Sequence, residues 1–238
     1  MTVRLKILLL FLVGFSLSTF SFSSAESIEK RFKNKEKLAY KIYFNGVPSG
    51  KIEWRYLGRQ KIKEGEVEVI YLVADTKILE LLNLTSREKV FLDSKTYLPL
   101  RVERNLVVFG KKELITESYD QVAGKVSIKK KNSKVTEEVL VQDKPIHNIL
   151  DLLYFFPQGI ELKPDGWMEF NLPTQKVKIK LAGERSLKTN GSSKDTYLLI
   201  GRGARRFNLW LDKEKRLPLR LEFITLAGKI TIKRLHVK

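Results

Sequence analysis

The amino-acid sequence predicts a mostly β protein: a strongly curved antiparallel sheet or half-open barrel of about a dozen strands, built from two related halves, with one buried central helix. Three observations lead to this fold class. Apolar and charged residues alternate with a period of two, turn sequences recur between the alternating segments, and one twelve-residue pattern occurs twice.

The alternation is clearest where lysines separate apolar residues. In residues 176–181, Val177, Ile179 and Leu181 alternate with lysines, and segments 125–129 and 229–233 repeat the design. Such segments are typical of antiparallel strands with one face in water. The other predicted strands are Leu38–Phe44, Lys51–Leu57, Glu66–Ala74, Glu88–Leu92, Leu100–Val108, Glu113–Tyr119, Val135–Val141, Met168–Leu172, Thr196–Ile200, Phe207–Leu211 and Leu219–Leu226.

Turn residues separate these segments. Asn45-Gly46 and Asn190-Gly191 are hairpin-type dipeptides, and Pro48-Ser49-Gly50 and the Pro164-Asp165-Gly166 stretch carry loop residues.

Two segments have helical character. The first, Asp75–Leu84, predicts a short helix. The second, about Ile146 to Phe156, follows Pro145, is apolar on nearly all sides and ends before Pro157. A helix of this kind is buried, and we expect it to pack against the concave face of the sheet.

The repeat pairs residues 92–103 with residues 211–222 without a gap, 119 positions apart. Both copies predict a strand, a turn led by Asp93 or Asp212, a Leu-Pro-Leu sequence and a second strand. We interpret residues 26–238 as a single β domain with half-repeats at about 38–141 and 142–238. The alternative is convergence on a common hairpin.

The N-terminus predicts export. Arg4 and Lys6 precede an apolar run from Ile7 to Phe15, and small residues end at Ala25. This is the order of a cleavable signal peptide, with the cut expected after Ala25 and a periplasmic location for the mature chain. An uncleaved membrane anchor is the alternative, although the apolar run is shorter than the roughly 20 residues that span a bilayer.

The formal charge of +18 limits the partners. Lysines on solvated strand faces explain much of this charge. The rest is suited to an anionic membrane surface or lipopolysaccharide, whereas nucleic acid is not expected for an exported chain. Arg202, Arg205 and Arg206 form a compact basic loop that is a candidate anion site, or else an ordinary solvated loop.

No catalytic or cofactor motif is recognisable, so we expect a protein that is not an enzyme and needs no cofactor. The chain has no Cys and two separated histidines, which makes a structural zinc site improbable. The segment 46–51 is one residue short of a phosphate loop and is better explained as a hairpin turn. A glycan hydrolase using two carboxylates stays open in principle, but no acid pair is positioned by the sequence.

Large aromatic residues supply a candidate ligand cavity. A curved sheet of about a dozen strands encloses more room than one short helix fills. Trp54, Tyr154, Phe155 and Trp210 are the candidate lining residues. The alternative is that these rings simply fill the core.

Three short sequences together resemble a known family. They are Tyr40–Gly50, Pro145-Ile146 with Asp151–Tyr154, and Trp210–Asp212 with Leu217-Pro218. In this order they resemble the bacterial family called domain of unknown function 3108, over nearly all of the mature chain. The resemblance implies an exported Gram-negative protein with an open or half-closed barrel, similar in shape to periplasmic lipoprotein carriers. It implies no activity and no ligand residue, and Phe155-Phe156 stands where the family suggests an arginine.

Two functional hypotheses follow. The first is a non-enzymatic periplasmic protein that binds a hydrophobic or lipid-like ligand in a concave β-sheet. The second is an envelope scaffold or adaptor that binds a protein or an anionic polysaccharide through sheet edges and basic loops.

Overall fold

The structure is a computed structural model, and it describes residues 37–78, 82–154, 157, 162, 166–189 and 192–235. The predicted signal peptide therefore lies outside the described residues. Within them, no helix is long and apolar enough to cross a membrane.

Fourteen strands and one short helix make up the described chain. The strands are β1 Lys37–Phe44, β2 Val47–Ile62, β3 Gly65–Ile78, β4 Leu82–Asp93, β5 Pro99–Val108, β6 Lys111–Asp120, β7 Lys125–Lys131, β8 Val135–Val141, β9 Met168–Leu172, β10 Gln175–Thr189, β11 Ser192–Arg202, β12 Arg206–Asp212, β13 Pro218–Thr225 and β14 Gly228–Leu235. The helix, α1, is Ile149–Tyr154. The predicted mostly β fold is confirmed.

All fourteen strands belong to one antiparallel sheet in the order β8-β7-β6-β5-β4-β3-β2-β1-β14-β13-β12-β11-β10-β9. Two meanders thus meet where the first strand pairs with the last, with Tyr40 opposite Arg234 and Phe44 opposite Ile230. Two further hydrogen bonds close this junction: Asn45 N donates to Lys229 O, and Lys229 N donates to Asn45 Oδ1, both at 2.8 Å. The first and last strands therefore hold the two arms of the sheet together.

The sheet curls round but does not close, because its edge strands β8 and β9 are not paired with each other. The chain after β8 instead reaches the β9 edge. Ile146 forms a parallel bridge with Asn171, and His147 N donates to Asn171 O at 2.7 Å. Gln142 Nε2 also donates to Pro173 O at 3.0 Å. These contacts describe a half-open barrel.

Burial alternates along the strands, as the sequence pattern predicts. In β1 the buried residues are Leu38, Tyr40, Ile42 and Phe44. The concave face carries two large apolar clusters. The cluster of the first arm includes Trp54, Ile70 and Val102, and the cluster of the second arm includes Phe170, Ile179 and Leu209.

The sequence repeat corresponds to one recurring turn. The Asp93 carboxylate accepts the backbone N–H groups of Lys95 and Thr96 at 3.0 and 2.8 Å. The Asp212 carboxylate accepts those of Glu214 and Lys215 at 3.0 and 2.9 Å. Both carboxylates therefore have the predicted role in turns.

The strands beside these turns share irregularities as well. The β4–β5 register shifts at Phe91/Leu92, and the β12–β13 register shifts at Trp210/Leu211. The β2–β3 and β10–β11 registers shift at Gly58 and Gly183, both of which have positive φ. The two arms share these irregularities, and the predicted half-repeats at about 38–141 and 142–238 remain a prediction.

The prediction of a helix over Asp75–Leu84 is wrong. Strand β3 continues to Ile78 and β4 begins at Leu82, with Asp75 opposite Thr85 and Thr76 opposite Leu84. A short amphipathic helix would give up these ladder hydrogen bonds, which a hairpin extending an existing sheet retains.

The second predicted helix is confirmed in place but begins later than Ile146. Because Ile146 and His147 bond to β9, the helix cannot begin before Asn148, which caps it. Phe155 and Phe156, its predicted last residues, lie outside the described residues.

We expect the substitution Asp212→Asn to destabilise the protein by roughly 1 kcal/mol near pH 7, because it keeps the turn but loses the ion pair with Lys194 at 3.2 Å. Burial opposes ionisation of Asp212, but the Lys215 N–H and the Lys194 ammonium outweigh it and lower its pKa. This stabilisation is present above the unfolded pKa of about 4 and is lost as pH falls through the lower folded pKa.

Urea unfolding at neutral and acidic pH measures the difference. Asp93→Asn is the matched control, because Asp93 makes the same turn without an ion pair in the described part of the chain. A loss that is equal for both variants, or independent of pH, would contradict the assigned role of Lys194.

Candidate ligand-binding site

Helix α1 begins with a reciprocal cap. Asn148 Oδ1 accepts the N–H of Leu150 at 2.9 Å, and Asp151 Oδ2 accepts the N–H of Asn148 at 3.1 Å. Because Asp151 is the third helical residue, this is a capping box with an aspartate in place of the usual glutamate. The cap fixes where a helix of only six residues starts and how it enters the sheet.

Helix α1 contacts both arms of the sheet. Leu150 and Tyr154 belong to the apolar cluster of the first arm, whereas Leu152 belongs to the cluster of the second. Residues on opposite sides of the helix thus contact the two walls of the concave face. A helix with a single apolar stripe could not do this, which explains why the sequence is apolar on nearly all sides.

An aromatic stack joins α1 to the sheet. The Tyr154 ring lies 4.6 Å from the Trp54 ring, with an angle of 20° between the planes. Trp54 is 0% exposed and Tyr154 is 4% exposed. Burial, with a smaller effect from neighbouring Tyr40, raises the pKa of Tyr154 well above its usual value, so its phenol stays neutral. A stacked pair of this kind contributes about 1 kcal/mol beyond its buried area.

A buried ionic network interrupts the apolar face of the first arm. Arg104 Nε lies 2.7 Å from Glu88 Oε2, and its Nη1 lies 3.2 Å from Glu117 Oε1. Tyr119 Oη donates to Glu117 Oε2 at 2.6 Å. Burial alone would lower the pKa of Arg104, but the charges of Glu88 and Glu117 outweigh it and raise the pKa, so the guanidinium remains charged.

The network continues to the helix cap. Asn148 Nδ2 lies 3.5 Å from Tyr119 Oη, and His147 Nδ1 lies 3.3 Å from Asp151 Oδ2. Burial raises the pKa of Asp151, and His147 opposes this effect. Glu88 Oε1 and Asp151 Oδ1 are buried without a hydrogen-bond partner among the described residues. Each oxygen can accept a hydrogen bond from a hydroxyl or amine group.

The structure brings together some of the predicted cavity residues. Trp54 and Tyr154 stack on each other, and Phe155 lies outside the described residues. Trp210 is on the opposite, convex face, where its ring lies 5.2 Å from the Arg220 guanidinium. Its neighbours Leu209 and Leu211 occupy the concave face, and strand alternation turns Trp210 away from them. We therefore leave Trp210 out of the candidate site.

The predicted anion-binding arginines lie at the β11–β12 hairpin. Arg202 and Arg206 are opposite each other in the register, and both are exposed. Arg205 is partly buried within the hairpin. The Arg202 guanidinium also lies 4.7 Å from the Trp167 ring. Arg202 and Arg206 therefore face solvent at this hairpin and are separate from the concave site.

Sequence reasoning missed the ionic network, although a signal for it exists. Arg104 follows Val102 in the inward phase of β5, and Glu117 lies between inward-facing Ile115 and Tyr119 in β6. A charged residue at an apolar position of an alternating strand is either buried with partners or evidence of a register change. No three His, Asp or Glu side chains in the described ranges are grouped so as to hold a metal ion.

Comparison with known proteins supports the fold. The family described as "Protein of unknown function (DUF3108)" matches residues 39–234. No curated protein matches the chain. A β-barrel-like protein of domain of unknown function DUF1849 from Brucella abortus has a TM-score of 0.55 at 9% identity, covering 84% of this chain and 94% of that one. This likeness is one of fold alone.

Two more distant structures were also found. A putative lipoprotein from Parabacteroides distasonis has a TM-score of 0.30 at 8% identity, covering 87% of this chain and 96% of its own. A putative outer membrane lipoprotein-sorting protein domain from Vibrio parahaemolyticus has a TM-score of 0.27 at 10% identity, covering 90% and 89%. At these TM-scores neither carries an argument about this chain.

We expect Arg104→Met to destabilise the protein by about 3–5 kcal/mol, because it leaves Glu88 and Glu117 buried beside each other without a counter-charge. The triple variant Glu88→Gln, Arg104→Met, Glu117→Gln removes all three charges and is expected to recover most of that loss. Urea unfolding of both variants is the measurement. Equal losses in the two variants would show that Arg104 acts through packing and not through its charge.

Proposed function

We propose that this chain, which belongs to the DUF3108 family of proteins of unknown function, is a non-enzymatic protein of the cell envelope that binds a hydrophobic or lipid-like ligand. The ligand lies between helix α1 and the concave face of the sheet. The predicted signal peptide would deliver the chain to the periplasm.

The width of the sheet carries this proposal. Barrels of about 8 strands are filled by their own side chains, whereas barrels of about 16 strands leave a lumen. This sheet has 14 strands, and its apolar concave face is contacted by a helix of six residues and, in the second arm, by Leu162. A short helix on a wide apolar surface is a cover that a ligand can replace.

The chemistry of the site favours an amphiphile over a pure hydrocarbon. The Trp54–Tyr154 stack and the surrounding aliphatic residues suit an acyl chain. The unpartnered oxygens of Glu88 and Asp151 suit a head group that donates hydrogen bonds. The two features are linked through Tyr119 and the α1 cap.

Ligand entry requires α1 to move. Because Trp54 and Tyr154 are almost fully buried, a ligand reaches these rings only when the helix leaves the sheet. The apparent affinity of such a site is reduced by the fraction of molecules that are closed. Ligand binding must therefore break the Trp54–Tyr154 stack, and the free energy of that contact is subtracted from the binding free energy.

A direct experiment is to express the full chain, purify it gently from its native compartment, and analyse an organic extract by mass spectrometry. A stoichiometric lipid or other amphiphile is the expected result. A protein of full stability without any bound molecule, which also binds no fluorescent fatty acid, would contradict the proposal.

We further expect Tyr154→Leu to bind a fluorescent fatty acid about fivefold more tightly, because the stack that closes the site is lost while apolar volume is kept. Titration followed by fluorescence measures the change. Trp210→Leu is the matched control on the convex face and is expected to leave binding unchanged. Weaker binding by Tyr154→Leu would mean that the ring holds the ligand instead of closing the site.

A second candidate function, an adaptor that binds an envelope protein, is favoured by the exposed edge of the first arm. Strand β8 has one neighbour in the described sheet, and Val135, Val139 and Val141 on it are 57%, 57% and 70% exposed. Such an edge can add a strand from a partner. A ligand-free protein that co-purifies with an envelope protein, and loses it in Val139→Pro, would favour this function.

A further inference from the structure

The strand order places alternate hairpins at one end of the sheet. Hairpins β1–β2, β5–β6, β7–β8, β9–β10, β11–β12 and β13–β14 all lie at the end where Asn45 bonds to Lys229. We call this end the hairpin rim and define it by the described residues 45–48, 109–112, 131–134, 173–176, 202–206 and 224–229. Strands β3 and β4 also meet at this end, where Thr76 is opposite Leu84, but residues 79–81 between them lie outside the described residues. Hairpins β2–β3, β4–β5, β6–β7, β10–β11 and β12–β13 lie at the opposite rim.

The six ranges that define the hairpin rim contain positively charged residues and no negatively charged ones. The charged residues are Lys111, Lys112, Lys131, Lys134, Lys176, Arg202, Arg205, Arg206 and Lys229. Lys176 and Lys229 pair with Asp143 and Glu222, which lie outside those ranges. The hairpin rim therefore concentrates positive charge at one end of the sheet.

The opposite rim differs in charge. Its hairpins, residues 63–65, 93–98, 120–125, 188–195 and 212–217, mix both signs along the described positions. The acids there are Glu64, Asp93, Asp120, Asp195, Asp212 and Glu214. The excess positive charge of the chain is thus distributed unevenly between two ends of one sheet.

Apolar side chains project among the cations of the hairpin rim. Val47 is 62% exposed, Phe109 49%, Ile224 70% and Leu226 95%. They come from three different hairpins, β1–β2, β5–β6 and β13–β14. Exposed apolar residues rimmed by polar ones are typical of surfaces that meet a membrane or a partner.

From this arrangement we propose that the hairpin rim docks on an anionic phospholipid bilayer. Each Lys or Arg near such a surface strengthens binding about fivefold. The exposed apolar residues favour a bilayer over a soluble polyanion. They contribute favourable binding free energy only when they leave water for the boundary between lipid head groups and acyl chains. Docking is independent of any interior ligand, so this proposal goes beyond the proposed function and can fail separately from it.

The test compares two charge-reversal variants of the same net charge. The rim variant is Lys112→Glu, Lys134→Glu, Arg206→Glu, and the control is Lys63→Glu, Lys95→Glu, Lys188→Glu at the opposite rim. All six residues are exposed. All three proteins are purified after expression of the full chain. Mass spectrometry of each N-terminus confirms that the parent and both variants begin at the same residue.

Binding is measured by co-sedimentation with phosphatidylglycerol–phosphatidylcholine vesicles and with phosphatidylcholine vesicles. We expect the parent to bind the anionic vesicles, the rim variant to bind at least about 100-fold more weakly, and the control to lose less than tenfold. Equal losses in rim variant and control would show that only overall charge matters and would overturn the proposal.

A charge-neutral variant separates a bilayer from a polyanion. Leu226→Ser is expected to weaken vesicle binding several-fold while leaving retention on heparin unchanged. Unchanged vesicle binding by Leu226→Ser, together with equal losses of vesicle and heparin binding by the rim variant, would identify a polyanion site and overturn the bilayer assignment.

Discussion

The antiparallel pairing of β1 with β14 is the contact on which the rest of the structure depends. Each arm alone is a meander with its apolar face open to water. Joined at Tyr40–Arg234 and Phe44–Ile230, the two arms form a single 14-stranded sheet that is wide enough to curl round an interior. The concave face of so wide a sheet is apolar and must be covered. Helix α1 contributes to this cover by contacting both walls at once.

The interior is not uniformly apolar, and its polar part is concentrated in one place. Arg104 holds Glu88 and Glu117, and Tyr119 connects this network to the cap of α1. A buried charge without partners costs several kcal/mol, so the network fixes the position of the helix N-terminus relative to β4–β6. At the other end of the helix, Tyr154 is held by stacking on Trp54 and by a hydrogen bond with Tyr40, contacts that can break without leaving a charge unpaired. We therefore expect α1 to open from its C-terminal end.

Much of the fold could be predicted from the sequence because strand alternation and turn chemistry are local. The Asp93 and Asp212 turns and the Asn45-Gly46 hairpin, with positive φ at both residues, are examples. The β1–β14 junction could not be predicted, because strand pairing between chain ends leaves no local pattern. The Asp75–Leu84 segment was misassigned because its apolar spacing fits a helix, whereas pairing within the sheet decides its structure. Of the predicted cavity residues, Trp54 and Tyr154 lie together in the interior, whereas the bulge at Trp210/Leu211 and the direction in which Trp210 faces depend on the sheet.

In the proposed function, helix α1 is a replaceable cover over an otherwise stable sheet. Hydrogen–deuterium exchange of the α1 amides, compared with those of β1 and β14 across low urea concentrations, tests this most directly. We expect Leu152–Tyr154 to exchange through a local opening that costs several kcal/mol less than global unfolding and responds little to urea. Exchange of α1 only through global unfolding, with the same urea dependence as β1 and β14, would show that the helix is a fixed part of the core and would contradict the account.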